Sequence, residues 1–224
     1  MTFHGAISTV EVERKYAVDE GRTLPSGTDF ATIGCSVDPA ERHSMQATYF
    51  DTPDGALAAQ RLALRRRIGG KDAGWHLKSK GDDGAHELLW PDSQEMPDGV
   101  REVLREKFGE NEGHDQRGSD TAAPRVNAIA TLHTIRDTTV VRNSDGEAII
   151  ELADDTVDAT NELTGRRQQW REWEAELLPA AGSDAATGAK LLDLVEPLLV
   201  AAGATRVRGT SKIQRAMRQE AEER

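Results

Sequence analysis

The sequence predicts an α+β protein, a mostly antiparallel β-sheet with helices at its periphery. Two observations carry that reading. Apolar and charged residues alternate with period two in run after run, and the runs are punctuated by hairpin-type turn sequences. Helical spacing is confined to a few separate stretches. The 224 residues are read as one domain, with a core over about residues 8–215 and a charged tail over 218–224.

The first strand is expected over Thr9 to Val18, where Val10, Val12, Tyr16 and Val18 share one face and Glu11, Glu13 and Lys15 the other. A Gly/Pro/Ser-rich stretch and a short helix near Asp29 to Thr32 follow, then a strand over Ser44 to Asp51 that Thr52-Pro53-Asp54-Gly55 breaks. Strands over Arg61 to Gly70 and Trp75 to Lys80 are joined by a glycine-rich hairpin loop, and His86 to Pro91 is a third. Pro97 to Phe108 has helical spacing with a start signal at Pro97-Asp98. Gly109 to Pro124 reads as a loop.

Strands over Ala128 to Arg142 and Glu147 to Asp158 flank Asn143-Ser144-Asp145-Gly146, a turn whose Asn, Asp and Gly tolerate positive φ. Gln169 to Leu178 is the last long strand. Thr187 to Ala202 forms a helix with one apolar face, and Ser211 to Arg224 a helix fraying into the tail.

Charge excludes some functions. Lys and Arg number 28 against 39 Asp and Glu, and a net charge of -11 disfavours a general nucleic-acid binder. Cys35 is the only cysteine, so neither a disulfide nor a cysteine metal cluster can form within the chain. No leader pattern starts the chain, and no stretch reaches the roughly 18 apolar residues that span a bilayer, so a soluble, cytoplasmic protein is expected.

The strands put charge where a sandwich would put its core. Glu11, Glu13 and Lys15 share a face, as do Arg65 and Arg67, and as do Glu172, Glu174 and Glu176 opposite Trp173, Ala175 and Leu177. Acidic and basic runs occupy different strands, a sorting that suits a closed barrel with a polar interior. A charged interior is tolerable only when hydrated, internally paired or filled by charged ligands. Paired carboxylates such as Glu11 and Glu13 suit Mg²⁺ or Mn²⁺, and arginines on a rigid strand suit phosphate. His4, His43, His114 and His133 lack metal-ligand spacing, His76 reads as structural, and the four tryptophans read as packing beneath outer helices.

The segment Glu11-Val12-Glu13-Arg14-Lys15 resembles the ExExK signature of the CYTH family of triphosphate tunnel metalloenzymes. Ala47 to Pro53 followed by Leu64-Arg65-Arg66-Arg67 is similar to the family's second block, and Gly74-Trp75-His76-Leu77-Lys78 to its third. Looser matches follow in order at Thr134-Ile135-Arg136, Ile150-Glu151-Leu152, Glu172 to Leu177 and Ser211-Lys212. His86 departs from the pattern, standing where family members often carry Arg or Lys. The resemblance implies an eight-stranded antiparallel β-barrel tunnel with peripheral helices.

It also implies a site. Lys15, Arg65, Arg67, Lys78, Arg136 and Lys212 would bind the triphosphate, with Lys15, Glu13 and Arg65 closest to the chemistry. Glu11, Glu13, Glu151, Glu172 and Glu174 would hold Mg²⁺ or Mn²⁺. These charges with two divalent ions sum to about +5, close to offsetting a triphosphate of roughly −4 to −5. The implied activity is hydrolysis of inorganic triphosphate, thiamine triphosphate or a nucleoside triphosphate by in-line water attack on the terminal phosphorus. An adenylate cyclase using the same tunnel and a non-catalytic polyphosphate or nucleotide binder are the alternatives.

Overall fold

The structure, a computed structural model, describes residues 2–81, 85–109, 123–179 and 185–218. Most of the loop predicted over Gly109 to Pro124, most of the turn at 81–84 and the tail beyond 218 lie outside the described residues.

The strands in chain order are β1 (Thr2–Phe3), β2 (Ala6–Glu11), β3 (Glu13–Ala17), β4 (Ser36–Val37), β5 (Glu41–Asp51), β6 (Leu62–Ile68), β7 (Gly74–Lys80), β8 (Ala85–Pro91), β9 (Asn127–Arg142), β10 (Ala148–Asn161), β11 (Arg167–Leu177) and β12 (Thr205–Val207). Their order in the sheet is β1-β2-β8-β7-β6-β5-β9-β10-β11-β3-β12, with β4 beside β9. Pairing is antiparallel between β5 and β6, β6 and β7, β7 and β8, and β11 and β3. The α+β antiparallel class therefore stands as predicted.

The predicted first strand is divided at Val12 into β2 and β3. Its two halves have different partners, β8 for the first and β11 for the second. Counted as one segment, Ala6–Ala17 brings the long strands to eight and stands near both ends of the strand order, the connectivity of an eight-stranded antiparallel barrel. The change of partner also breaks the single apolar face expected here: Tyr16 is fully buried, whereas Val10 is 53% exposed.

Packing divides the chain into two compact units of interleaved segments. The first comprises Met1–Val10, Gln46–Leu132 and Thr160–Arg166. In its core, Leu62 and Leu64 of β6, Trp75 and Leu77 of β7 and Trp90 of β8 meet Val100, Val103 and Leu104 of helix α3 (Asp98–Gly109). Each large apolar side chain so buried contributes about 1.5–3 kcal/mol. A short helix not predicted from sequence, α2 (Ala56–Ala59), starts at Gly55, which offers no capping side chain. The buried Asp51 carboxylate replaces the cap, accepting from the backbone N–H groups of Thr52, Leu57 and Ala58. Gly74 begins β7 because an added Cβ would stand 2.2 Å from the Trp90 carbonyl oxygen.

The second unit comprises Glu11–Met45, His133–Ala159 and Arg167–Arg224. Tyr16 of β3 and Trp173 and Ala175 of β11 pack with Phe30 of α1 (Gly27–Ala31) and with Leu192, Val195 and Leu199 of α4 (Ala185–Ala201). Helix α5 (Lys212–Met217) closes the series, started by a Ser211/Gln214 capping box. Since successive strand residues point to opposite faces, sealing Trp173 and Ala175 in this core leaves Glu172, Glu174 and Glu176 together on the other.

Candidate anion and metal site

In the second unit the pairing of β3 with β11 sets Lys15 opposite Glu174 and Glu13 opposite Glu176. The Lys15 ammonium donates to Glu174 and, at 3.1 Å, to Glu13. Arg136, from β9, forks onto Asp155 at 2.7 and 2.6 Å and extends Nη2 to Glu174 Oε2 at 2.6 Å. Lys212, the first residue of α5, places Nζ 2.7 Å from both Glu172 and Glu174 and 2.9 Å from Asp155. Three cations and three buried carboxylates thus interlock, with Glu174 bonded to every cation.

Helix α5 is held where Lys212 needs it. The Arg215 guanidinium lies 4.8 Å over the Trp170 ring, and Gln168 donates to the Ala216 carbonyl at 3.0 Å. Trp170 differs from the expectation for the tryptophans. Trp75, Trp90 and Trp173 pack in the cores with α3 and α4, but Trp170 shares the face of Glu172 and donates to its Oε2 at 2.7 Å.

Burial by itself would push Glu174 up; Lys15, Lys212 and Arg136 overcome it and hold the carboxyl well below the usual range. Asp155 is lowered in the same way, against burial, by Lys212 and Arg136. Lys212 is raised despite its burial, chiefly by Asp155, Glu174 and Glu172. For both acids the folded value lies below the unfolded one, so the unfolded chain takes up protons first as the pH falls. Stability is therefore expected to be intact above about pH 4, the ordinary carboxylate range, and to be lost progressively below it. Thermal melts in acid would check this; a melting temperature unchanged through the acid range would contradict it.

Among the described residues, two clusters of carboxylates have ligand oxygens within 4.8 Å of one another: Glu11, Glu13 and Glu176, half-buried, and Asp155, Glu172 and Glu174, buried. Glu13 and Glu176 are directly opposed across the strands, an arrangement that repels unless a cation lies near. Hard divalent ions take several oxygen ligands and keep some of their water, which the half-buried group permits. In the buried group a metal ion would have to displace existing bonds to Lys15, Arg136 and Lys212. The residues present fit a divalent cation.

In the first unit Arg65 and Arg67 lie on the face of β6 opposite Leu62 and Leu64. Arg65 reaches Tyr49 Oη at 3.4 Å, Glu87 Oε1 at 3.2 Å and His76 Nδ1 at 3.4 Å. Its Nε is buried with no acceptor among the described residues. Arg67 is paired with Asp72, which Arg67 and then Arg65 draw down to about 2 against the raising effect of burial. Lys78 stands across from Glu87 in the pairing of β7 with β8.

Of the residues singled out in the sequence, the structure brings together Glu13, Lys15, Arg136, Glu172, Glu174 and Lys212 in one unit, with Glu11 beside Glu13. Arg65, Arg67 and Lys78 are carried by β6 and β7 of the other. Glu151 belongs to neither carboxylate group, although it shares a face of β10 with Asp155. Sequence reasoning missed Asp155, Glu176 as a ligand, and the surroundings of Arg65. For Asp155 the available signal was its even spacing from Glu151.

The strands thus carry one apolar and one charged face, the latter bearing interlocked acids and bases and carboxylates that could hold a metal ion. The chain belongs to the CYTH domain family, whose model matches residues 9–216. It is 32% identical over 226 residues to two uncharacterized Mycobacterium tuberculosis proteins, Rv2226 of strain H37Rv and MT2285 of strain CDC 1551. The match covers 93% of this chain but only 40% of those relatives' length. Among solved structures, a candidate adenylate cyclase from Bacillus halodurans superposes with a TM-score of 0.54 at 18% identity, covering 94% of this chain and 99% of that one. Another from Vibrio parahaemolyticus gives 0.50 at 15% identity, covering 93% and 98%. At these identities the likeness establishes the fold. No helix of the described residues is long and apolar enough to cross a membrane.

Proposed function

We propose that this chain is a triphosphatase dependent on Mg²⁺ or Mn²⁺, acting on a small-molecule triphosphate. The observation that supports it best is the buried network of Lys15, Arg136 and Lys212 on Asp155, Glu172 and Glu174. Buried ion networks are often no more stabilising than apolar packing of the same volume, so this one is better explained by use than by stability. A polyanion entering would receive N–H donors from those three residues as they turn from carboxylate to phosphate oxygens. Arg65, with a buried Nε–H to spare, and Arg67 and Lys78 are proposed as further phosphate donors.

Glu11, Glu13 and Glu176 would hold one divalent cation, and Glu151, Glu172 and Glu174 remain proposed as metal ligands with them. When bound, such an ion supplies Lewis acidity toward phosphate oxygens and lowers the pKa of water. Lys15 lies between the two carboxylate groups, bonded to Glu13 in one and Glu174 in the other, and so is placed to set the distance between cation and phosphate. Once turned to the phosphate oxygens on binding, these donors would need no further reorganisation as charge develops on the terminal phosphoryl group.

The test is phosphate release from inorganic triphosphate, thiamine triphosphate and ATP, with Mg²⁺, with Mn²⁺ and with both chelated. Release from at least one substrate, abolished by chelation, is the expected result. Cyclic AMP with pyrophosphate from ATP would replace the reading with that of a cyclase, and metal-dependent binding without turnover with that of a binding module.

A further inference from the structure

We propose that His76 is a positioning residue that, together with Glu87, sets how Arg65 is presented to a phosphate group. The proposal rests on the triphosphatase reading for its substrate class, but on the geometry of the first unit for its substance.

His76 is fully buried in the middle of β7, opposite Arg65 in the pairing of β6 with β7. Its Nε2 lies 2.8 Å from the Asp72 backbone carbonyl. A carbonyl oxygen only accepts, so the hydrogen-bond network assigns a proton to Nε2. The other nitrogen, Nδ1, meets two groups with opposite demands. Glu87 Oε1 at 3.1 Å is best satisfied by a proton on Nδ1, whereas Arg65 Nη2 at 3.4 Å is best satisfied by a lone pair there. Arg65 Nη2 also lies 3.2 Å from the same Glu87 oxygen.

One proton therefore decides what Arg65 is bonded to. With the proton shared between Nδ1 and Glu87, that pair satisfies itself and the guanidinium is free to turn its N–H groups to a phosphate. With the proton lost, the His76 lone pair and the Glu87 carboxylate both accept from Nη2 and hold Arg65 back. The groups facing His76 are Arg65 and Arg67 from β6, Glu87 from β8 and Asp72 from the connecting loop, with Tyr49 of β5 behind Arg65. Burial, with Arg65 and Arg67 nearby, places the imidazole below its ordinary value in spite of Glu87. Asp72 ties the arrangement together, since its carboxylate accepts from Arg67 while its carbonyl fixes His76.

The experiment compares wild type, His76→Leu and His76→Asn with inorganic triphosphate and Mg²⁺ between about pH 5 and 9, alongside thermal melts. Leucine keeps bulk but neither hydrogen bond; asparagine can restore a donor or acceptor where Nδ1 stood. At the acid end of that range, where wild-type His76 keeps the proton that occupies Glu87, we expect His76→Leu to raise KM about tenfold, the size of one hydrogen bond to a charged group, with kcat changed less than threefold. His76→Asn should recover most of that loss. The ratio of variant to wild-type KM should fall toward one as the pH rises and wild-type Arg65 is itself held back, a comparison from which the substrate's own ionisation drops out. A ratio of one at every pH would overturn the proposal, as would equal losses in kcat and KM that merely follow the melting temperature. If wild type releases no phosphate, the hydrolase reading fails, and the same comparison made on Kd by calorimetry still decides the role of His76. No binding by wild type would overturn both.

Discussion

Replacing Arg65 with alanine is expected to lower kcat/KM for the triphosphate by 100-fold or more while the protein still folds. One preorganised donor of this kind is commonly worth about 3 to 4 kcal/mol at the transition state, which corresponds to that factor. Folding should survive because the groups around Arg65 have one another: Glu87 retains His76 at 3.1 Å, and His76 retains the Asp72 carbonyl. Arg65→Lys should recover little, since a single ammonium cannot reproduce the planar fork. Steady-state kinetics beside a thermal melt measures both parts, and a folded Arg65→Ala protein with unchanged kcat/KM would remove Arg65 from the site.

Glu174→Ala should act the other way round, on stability first. Glu174 is the one carboxylate that Lys15, Arg136 and Lys212 all share, and taking it away leaves these mostly buried cations facing each other. Breaking a buried ion pair from one side costs about 3–5 kcal/mol, and Asp155 and Glu172 would offset only part of that here. Inorganic triphosphate restores negative charge to the same donors, so it should raise the melting temperature of Glu174→Ala by more than that of wild type. Equal shifts would mean that the three cations do not meet the phosphate. The Glu13→Ala variant provides the contrast, because its loss should fall on turnover.

Much of this was written in the alternation of residues along strands. Glu172, Glu174 and Glu176 could be placed on one face because Trp173, Ala175 and Leu177 claimed the other, and Arg65 and Arg67 likewise against Leu64. Alternation fails where both faces are buried. Along β10, Ile150 and Leu152 on one face and Ala153, Val157 and Ala159 on the other are all buried, so alternation marks neither face as the charged one, and only the even spacing from Glu151 separates Asp155 from its neighbour Asp154. Its role comes from Arg136 and Lys212, residues far away in the chain. Glu176 was visible as an acid but not as the partner of Glu13, because strand register is a property of the pair. The break at Val12 was hidden for a related reason: the alternation continues through it, and only the identity of the neighbouring strand changes.

The hydrogen bonds at Glu174 also bear on the order of folding. Lys15 and Lys212 meet the same carboxylate from positions nearly 200 residues apart, so the network closes one of the longest loops the chain can make. Contacts of such sequence separation carry a large loop-closure cost and tend to form late. During synthesis, every residue of the network except Lys212 has emerged before α5 exists. Until then Asp155, Glu172 and Glu174 have only Lys15 and Arg136 to balance them, and the excess negative charge discourages compaction of that face. Arrival of α5 then delivers the missing cation and the Arg215–Trp170 stack together.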